Sequence, residues 1–142
     1  MKPSLTAKTK LALRLSGVKD EKFSRNGETI LAIALNNTET VTVLRLAGDI
    51  GNTEMGDLLG VMNEMVLQSK IQVVLNFSHV NHISLNAISA LAGRKQRFQD
   101  LGGDIKIVGL IPYVANLFKL VGAFSYFEIL SSEDEAVYRF ES

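Results

Sequence analysis

The chain has 142 residues, 46% hydrophobic and 21% charged, which suits one compact domain with a buried core and leaves little room for two. It contains no cysteine, which excludes disulfides, thiolate metal sites and cysteine nucleophiles. No apolar run reaches about 18 residues and no leader with a cleavage site is visible, so a cytoplasmic protein without an integral membrane segment is expected.

The formal net charge of zero is unevenly spread: residues 1–25 hold seven basic side chains against Asp20 and Glu21, a net +5 that the rest of the chain offsets. Such an arm can meet nucleic acid or an anionic membrane, but basic termini are commonly solvated extensions, and no nucleic-acid partner is expected. Leu5, Leu11, Ala12, Leu15 and Val18 form a partial helical stripe broken by Gly17. Residues 1–27 are therefore read as an N-terminal extension, partly helical or flexible, with the polar cluster 24–27 marking the start of a domain over 28–142.

Residues 30–35 alternate, with Leu31, Ile33 and Leu35 on one face, and a polar run separates them from the apolar stretch 41–47. This predicts a hairpin. Asn52 or Thr53 can cap a helix whose Met55, Leu58, Leu59, Met62, Met65 and Val66 share one stripe, a core-packing pattern despite the methionines. Residues 71–77 read as a central strand covered on both faces. A second helix over 85–101 starts after Ser84 as its cap and ends at Gly102 and Gly103, and Gly93 within it suggests close packing on the sheet. A strand over 105–110 comes next.

Pro112 opens a third helix carrying Val114, Leu117, Phe118 and Val121, which Gly122 ends. Residues 127–130 give a last strand, and Ser132 with Glu135 has the spacing of a capping box before a helix through Phe140. The predicted fold class is α/β: a hairpin, then alternating helices and strands, in a mixed sheet of about five strands with about four helices and right-handed crossovers.

In this architecture reactive groups belong at the carboxyl ends of the strands. The loop Gly48, Asp49, Ile50, Gly51, Asn52 lacks both the glycine spacing and the lysine of a phosphate loop. His79 and His82, placed on a strand end and loop, lack a third ligand, and nothing selects Asp49 or Asp104 to supply one. Ser84 and Ser89 have neither a nucleophile elbow nor an evident base. No catalytic residue, metal or cofactor is expected.

Four pieces, in order and spacing, resemble the STAS domain, the fold of bacterial anti-sigma factor antagonists, over residues 41–136. They are Val43-Leu44-Arg45-Leu46-Ala47-Gly48-Asp49-Ile50; Val73-Val74-Leu75-Asn76-Phe77-Ser78 with Val80; Arg94 to the double glycine Gly102-Gly103; and Pro112, Val114, Phe118 and Gly122. The resemblance implies a non-catalytic regulatory domain that binds a protein partner, such as an anti-sigma factor or kinase-like regulator. In that family the first serine of an Asp-Ser-Ser/Thr-Gly loop at the start of the second helix is phosphorylated. Here the loop is Ser84-Leu85-Asn86-Ala87, so Leu85 stands at the serine position and cannot accept phosphate.

The expected partner-binding loop is Ser84, Leu85, Asn86, Ala87, Ile88 and Ser89, with Leu85 and Ile88 as exposed apolar contacts. Asp49, Gly51 and Asn52 form a secondary loop, with Gly51 where the family often carries a further aspartate. Ser84, or Ser89, is the remaining candidate for phosphorylation. A scaffold subunit of a signalling assembly, an accessory subunit of a lipid transporter and a homodimer stay open. So does a reading of another class, a small-ligand or nucleotide-binding protein or enzyme, using the loop after Gly48 or His79, Asn81, His82 and Asn86.

Overall fold

A computed structural model of the chain describes residues 20–25, 28–37 and 40–141. Six strands form one sheet in the order β1-β2-β3-β4-β5-β6: β1 (Asp20–Arg25), β2 (Glu28–Asn37), β3 (Thr42–Ile50), β4 (Gln72–Ile83), β5 (Asp104–Val108) and β6 (Glu128–Leu130). β1, β2 and β3 pair antiparallel, and β3 to β6 run parallel. Four helices are described: α1 (Asn52–Leu67), α2 (Leu85–Asp100), α3 (Pro112–Leu120) and α4 (Glu133–Glu141). The α/β class, the hairpin and the four helices match expectation.

The sixth strand is β1, which lies inside the stretch 1–27 assigned to the extension; the predicted helix over 5–18 falls outside the described residues. β1 reads Asp-Glu-Lys-Phe-Ser-Arg, with one apolar residue in six, so no period-two signal announces it. Its backbone instead completes a ladder with β2, from Asp20 opposite Ala34 to Arg25 opposite Glu28.

The larger core joins one face of the sheet to α1, α2 and α3. Met55, Leu58, Met62 and Met65 are buried in it, so the methionine stripe is packing, as its spacing predicts. The Phe118 ring meets Phe77 and Phe127 edge-on, both with centroids 5.8 Å away, an arrangement favoured by the ring quadrupole. On the opposite face α4 covers Val41, Val43, Val74 and Val108 with Ala136, Val137 and Phe140. Both faces of β4 are thus covered, as its apolar residues on both sides require.

Helix ends obey local chemistry. Ser84 caps α2 by accepting the Ala87 N–H at 3.1 Å, and Ser132 caps α4 by accepting the Glu135 N–H at 3.1 Å. The Glu135 carboxylate reaches back one residue further than a capping box requires, to the Ser131 N–H at 3.0 Å. For α1 the cap is Gly51, not Asn52 or Thr53. The Gly51 N–H donates to Glu54 Oε1 at 2.9 Å, and its carbonyl accepts from Met55. After α2, Gly102 takes φ +93, and Gly103 passes so near β4 that a Cβ there would lie 1.9 Å from the Ile71 carbonyl oxygen.

Charges tie the amino-terminal end of β5 to its neighbours. Lys95 of α2 is 3% exposed and Lys106 of β5 is 7% exposed. Lys95 pairs with Asp104 beneath the rings of Tyr126 and Phe127, and Lys106 bonds Glu128 at 2.5 Å over the ring of Phe140. Arg139 of α4 completes the chain through Glu128. Buried ammonium groups persist only when paired in this way, and removing one carboxylate would strand a charge at a cost of about 3–5 kcal/mol. On the α4 face, Arg45 grips Glu133 through two bonds of 2.8 Å, and Asn76 donates to the same carboxylate at 2.6 Å.

Gly93 departs from its expected role in close packing on the sheet: it is exposed, and nothing lies within 4 Å of where its Cβ would be. It costs α2 helix propensity without a packing return, so Gly93→Ala should stabilise the fold by about 1 kcal/mol, a rise in Tm of about 3 °C. An unchanged or lower Tm would show that the position is constrained after all.

The carboxylates of these ion pairs also make stability sensitive to acid. The hydrogen bond from Lys106, then its charge and that of Arg139, holds the Glu128 carboxyl below the usual range; the bonds from Arg45 and Asn76 do the same for Glu133. Both carboxylates bind protons less readily folded than unfolded. Their contribution is therefore complete above the ordinary carboxylate pKa of about 4.3 and lost as pH falls through the folded values. Melting curves from pH 7 to 3 should show stability falling below about pH 5, with a shallower fall in Glu133→Gln.

Candidate functional site

Parallel pairing of β3 and β4 puts their carboxyl ends side by side, Ile50 opposite Ile83, and the Ser84 N–H donates to the Ile50 carbonyl at 2.9 Å. The next helices, α1 and α2, therefore begin beside each other. Reaching this alignment takes two extra residues in β4. Between Arg45 and Ala47 on β3, β4 advances three residues, from Asn76 to His79; between Gly48 and Asp49 it advances two, from Val80 to His82. These are β-bulges, which bend a strand and re-aim its side chains. They also explain why burial along β4 shifts from a spacing of two at Val73, Leu75 and Phe77 to three at Val80 and Ile83.

The two loops expected to matter meet in one place. Ser84 Oγ donates to Asn52 Oδ1 at 3.0 Å while accepting from the Ala87 N–H, so one hydroxyl joins the starts of α1 and α2. Beside it Leu85, at the first position of α2, is 43% exposed, and Asn86 and Ser89 are exposed. Ser89 turns its hydroxyl inward along the helix to the Leu85 carbonyl at 3.3 Å. Ala87 and Ile88 are buried, which corrects the expectation that Ile88 offers an exposed contact: the first turn of α2 directs those two positions into the core.

The remaining residues fall on strands or caps. Asp49 is exposed within β3, opposite His82, where a loop position was expected; Gly51 is the cap of α1. His79 and His82 both belong to β4, extended past its predicted end at Phe77 by the bulges. His82 stacks on Tyr113 with centroids 5.8 Å apart, and its Nδ1 lies 3.0 Å from the Tyr113 hydroxyl. Among the described residues no group of three or more His, Asp or Glu side chains is placed to hold a metal ion.

Tyr113, 51% exposed at the start of α3, is the one residue of this surface that sequence reasoning missed. Its signal was its place: it comes directly after the helix-opening Pro112 in the loop after β5, at the same end of the sheet. The resulting surface has an apolar point, Leu85, a polar rim of Asn52, Ser84, Asn86 and His82, and the phenol of Tyr113. An apolar point within a polar rim is the make-up of a surface that another molecule can cover. No helix among the described residues is long and apolar enough to cross a membrane.

Ser84→Ala removes both the α2 cap and the link to Asn52. Stability should fall by about 1 kcal/mol, and the amides at the starts of α1 and α2 should exchange faster together. Faster exchange confined to α2 would show that the Ser84–Asn52 bond does not couple the two helices.

Comparison with known proteins gives a consistent picture. The STAS domain model matches residues 32–136. An anti-sigma factor antagonist from Mycobacterium paratuberculosis superposes with a TM-score of 0.69 at 18% identity, covering 79% of this chain and 95% of its own. The anti-sigma factor antagonist SpoIIAA in its unphosphorylated form gives 0.67 at 18% identity, covering 77% and 96%. The murine Solute Carrier 26 family member A9 anion transporter gives 0.60 at 14% identity; there the match covers 94% of this chain but 24% of the transporter.

Proposed function

The chain belongs to the STAS domain family, and from that membership we propose that it is a non-catalytic regulatory domain whose partner is a protein, docked on the surface around Leu85. The partner is an anti-sigma factor or a kinase-like regulator. The observation that carries this reading is Leu85 itself: a half-exposed apolar residue at the first position of α2, beside the paired loops, at the position we align with the family's phosphorylated serine.

Control by the usual phosphorylation is absent in this reading. Leu85 has no hydroxyl, and the neighbouring Ser84 hydroxyl is engaged with both Ala87 and Asn52, so modifying it would break the α2 cap. The domain is then available to its partner without a covalent switch. The likeness to the transporter domain keeps a second occupant in view, a membrane transporter of which this chain is an accessory subunit; it would use the same surface.

The test is capture of partners from native lysate by the wild-type chain and by Leu85→Glu, identified by mass spectrometry. The first turn of α2 carries no acidic residue, and a carboxylate there favours the helix dipole by about 0.3–1 kcal/mol, so this variant keeps its fold. A desolvated charge at the centre of a docked surface should release the partner. Retention of every captured protein by Leu85→Glu would overturn the reading, and capture of a transporter would select the second occupant.

A further inference from the structure

From the loop at Leu85 the outward face of α2 runs away through exposed Asn86, Ala90 and Gly93 and ends in charge. Arg94 and Arg97 stand within one turn of each other there, a spacing that brings Cβ atoms to about 5–6 Å. Arg94 is partly buried and donates to Asn63 of α1, which fixes its guanidinium. Arg97 is exposed, and nearby Asp100 accepts instead from Gln96 at 3.0 Å.

Among the described residues neither guanidinium has a carboxylate partner, whereas Arg45 is paired with Glu133 and Arg139 with Glu128. Burial, and then the charge of Arg97, lowers the Arg94 pKa from its ordinary value, so the fold holds two like charges together while Asp100, the one acid of α2, is bonded to Gln96. A carboxylate brought from outside would relieve that repulsion.

We propose that this face of α2 receives an acidic helix of the partner protein, whose carboxylates pair with Arg94 and Arg97. The proposal rests on the reading of Leu85 as part of a docking surface and extends that surface along α2. Two carboxylates one turn apart on a helix match the separation of the two arginines, and Ala90 and Gly93 let a helix backbone lie close. A nucleic-acid backbone fits less well: duplex DNA carries a charge about every 1.7 Å, and this face offers two cations beside Asp100.

The experiment uses the full chain and a fluorescent, alanine-rich helical peptide with glutamates four residues apart, against the same peptide with lysines, by anisotropy at low and physiological salt. The acidic peptide should bind preferentially, more weakly as salt rises. Arg94→Gln with Arg97→Gln should weaken it about fivefold or more at low salt. Arg97→Gln alone, a change at an exposed position that leaves the core untouched, should give part of that loss.

Undiminished peptide binding by the double variant, which would place it on other basic residues such as those of 1–25, overturns the proposal. So does tighter arginine-dependent binding to an RNA oligonucleotide or to phosphatidylserine vesicles. Loss of peptide binding in the arginine variants together with full partner retention in Leu85→Glu upholds the charged face and overturns only the docking role of Leu85.

Discussion

The parallel register of β3 on β4 is the constraint on which the rest of the molecule depends. Because Ile50 stands opposite Ile83, the chain leaves both strands at one level, and the two longest helices start as neighbours. Every polar contact of the candidate surface depends on that level: Ser84 to the Ile50 carbonyl, Ser84 to Asn52, and His82 within reach of Tyr113. Right-handed crossovers then lay α1, α2 and α3 over one face of the sheet and leave the other to α4.

The two ends of the sheet divide the work. At the amino-terminal end of β5, Lys95, Asp104, Lys106, Glu128 and Arg139 alternate in sign and answer one another, so that end is electrostatically closed. At the carboxyl end the side chains are short, polar or aromatic, and several stay exposed around Leu85. Charge pairing is thus concentrated at one end of the sheet, and exposed polar and aromatic side chains at the end where an α/β domain of any function places its loops.

Much of this was legible in the residues because local signals and tertiary packing agree. The stripe of Met55, Leu58, Met62 and Met65, the Ser84 cap, the Pro112 start and the Gly102–Gly103 stop each have one physical meaning, and the structure keeps it. What escaped depends on distant partners. β1 is a strand because β2 offers it a ladder, not because of its own alternation. The cap of α1 moved to Gly51 because Glu54 serves its amide while Asn52 turns to Ser84, an exchange between two loops 32 residues apart. Ile88 looked available until the packing of α2 decided which face turned inward, and Tyr113 acquired its place only from the ring of His82.

The bulges of β4 carry a consequence for how this chain can change length. Pairing with β5 ends at Asn76, before either inserted residue, so that ladder is indifferent to both insertions. Beyond it, each added residue resets the phase of the strand, the first bringing Val80 to the core face and the second returning Ile83 to it. Deleting one residue between 77 and 83 would remove a bulge and the bend it makes, changing the direction in which β4 delivers Ser84 and Leu85. This short stretch is therefore a segment in which substitutions can accumulate while its number of residues stays fixed, the reverse of what holds in an ordinary surface loop.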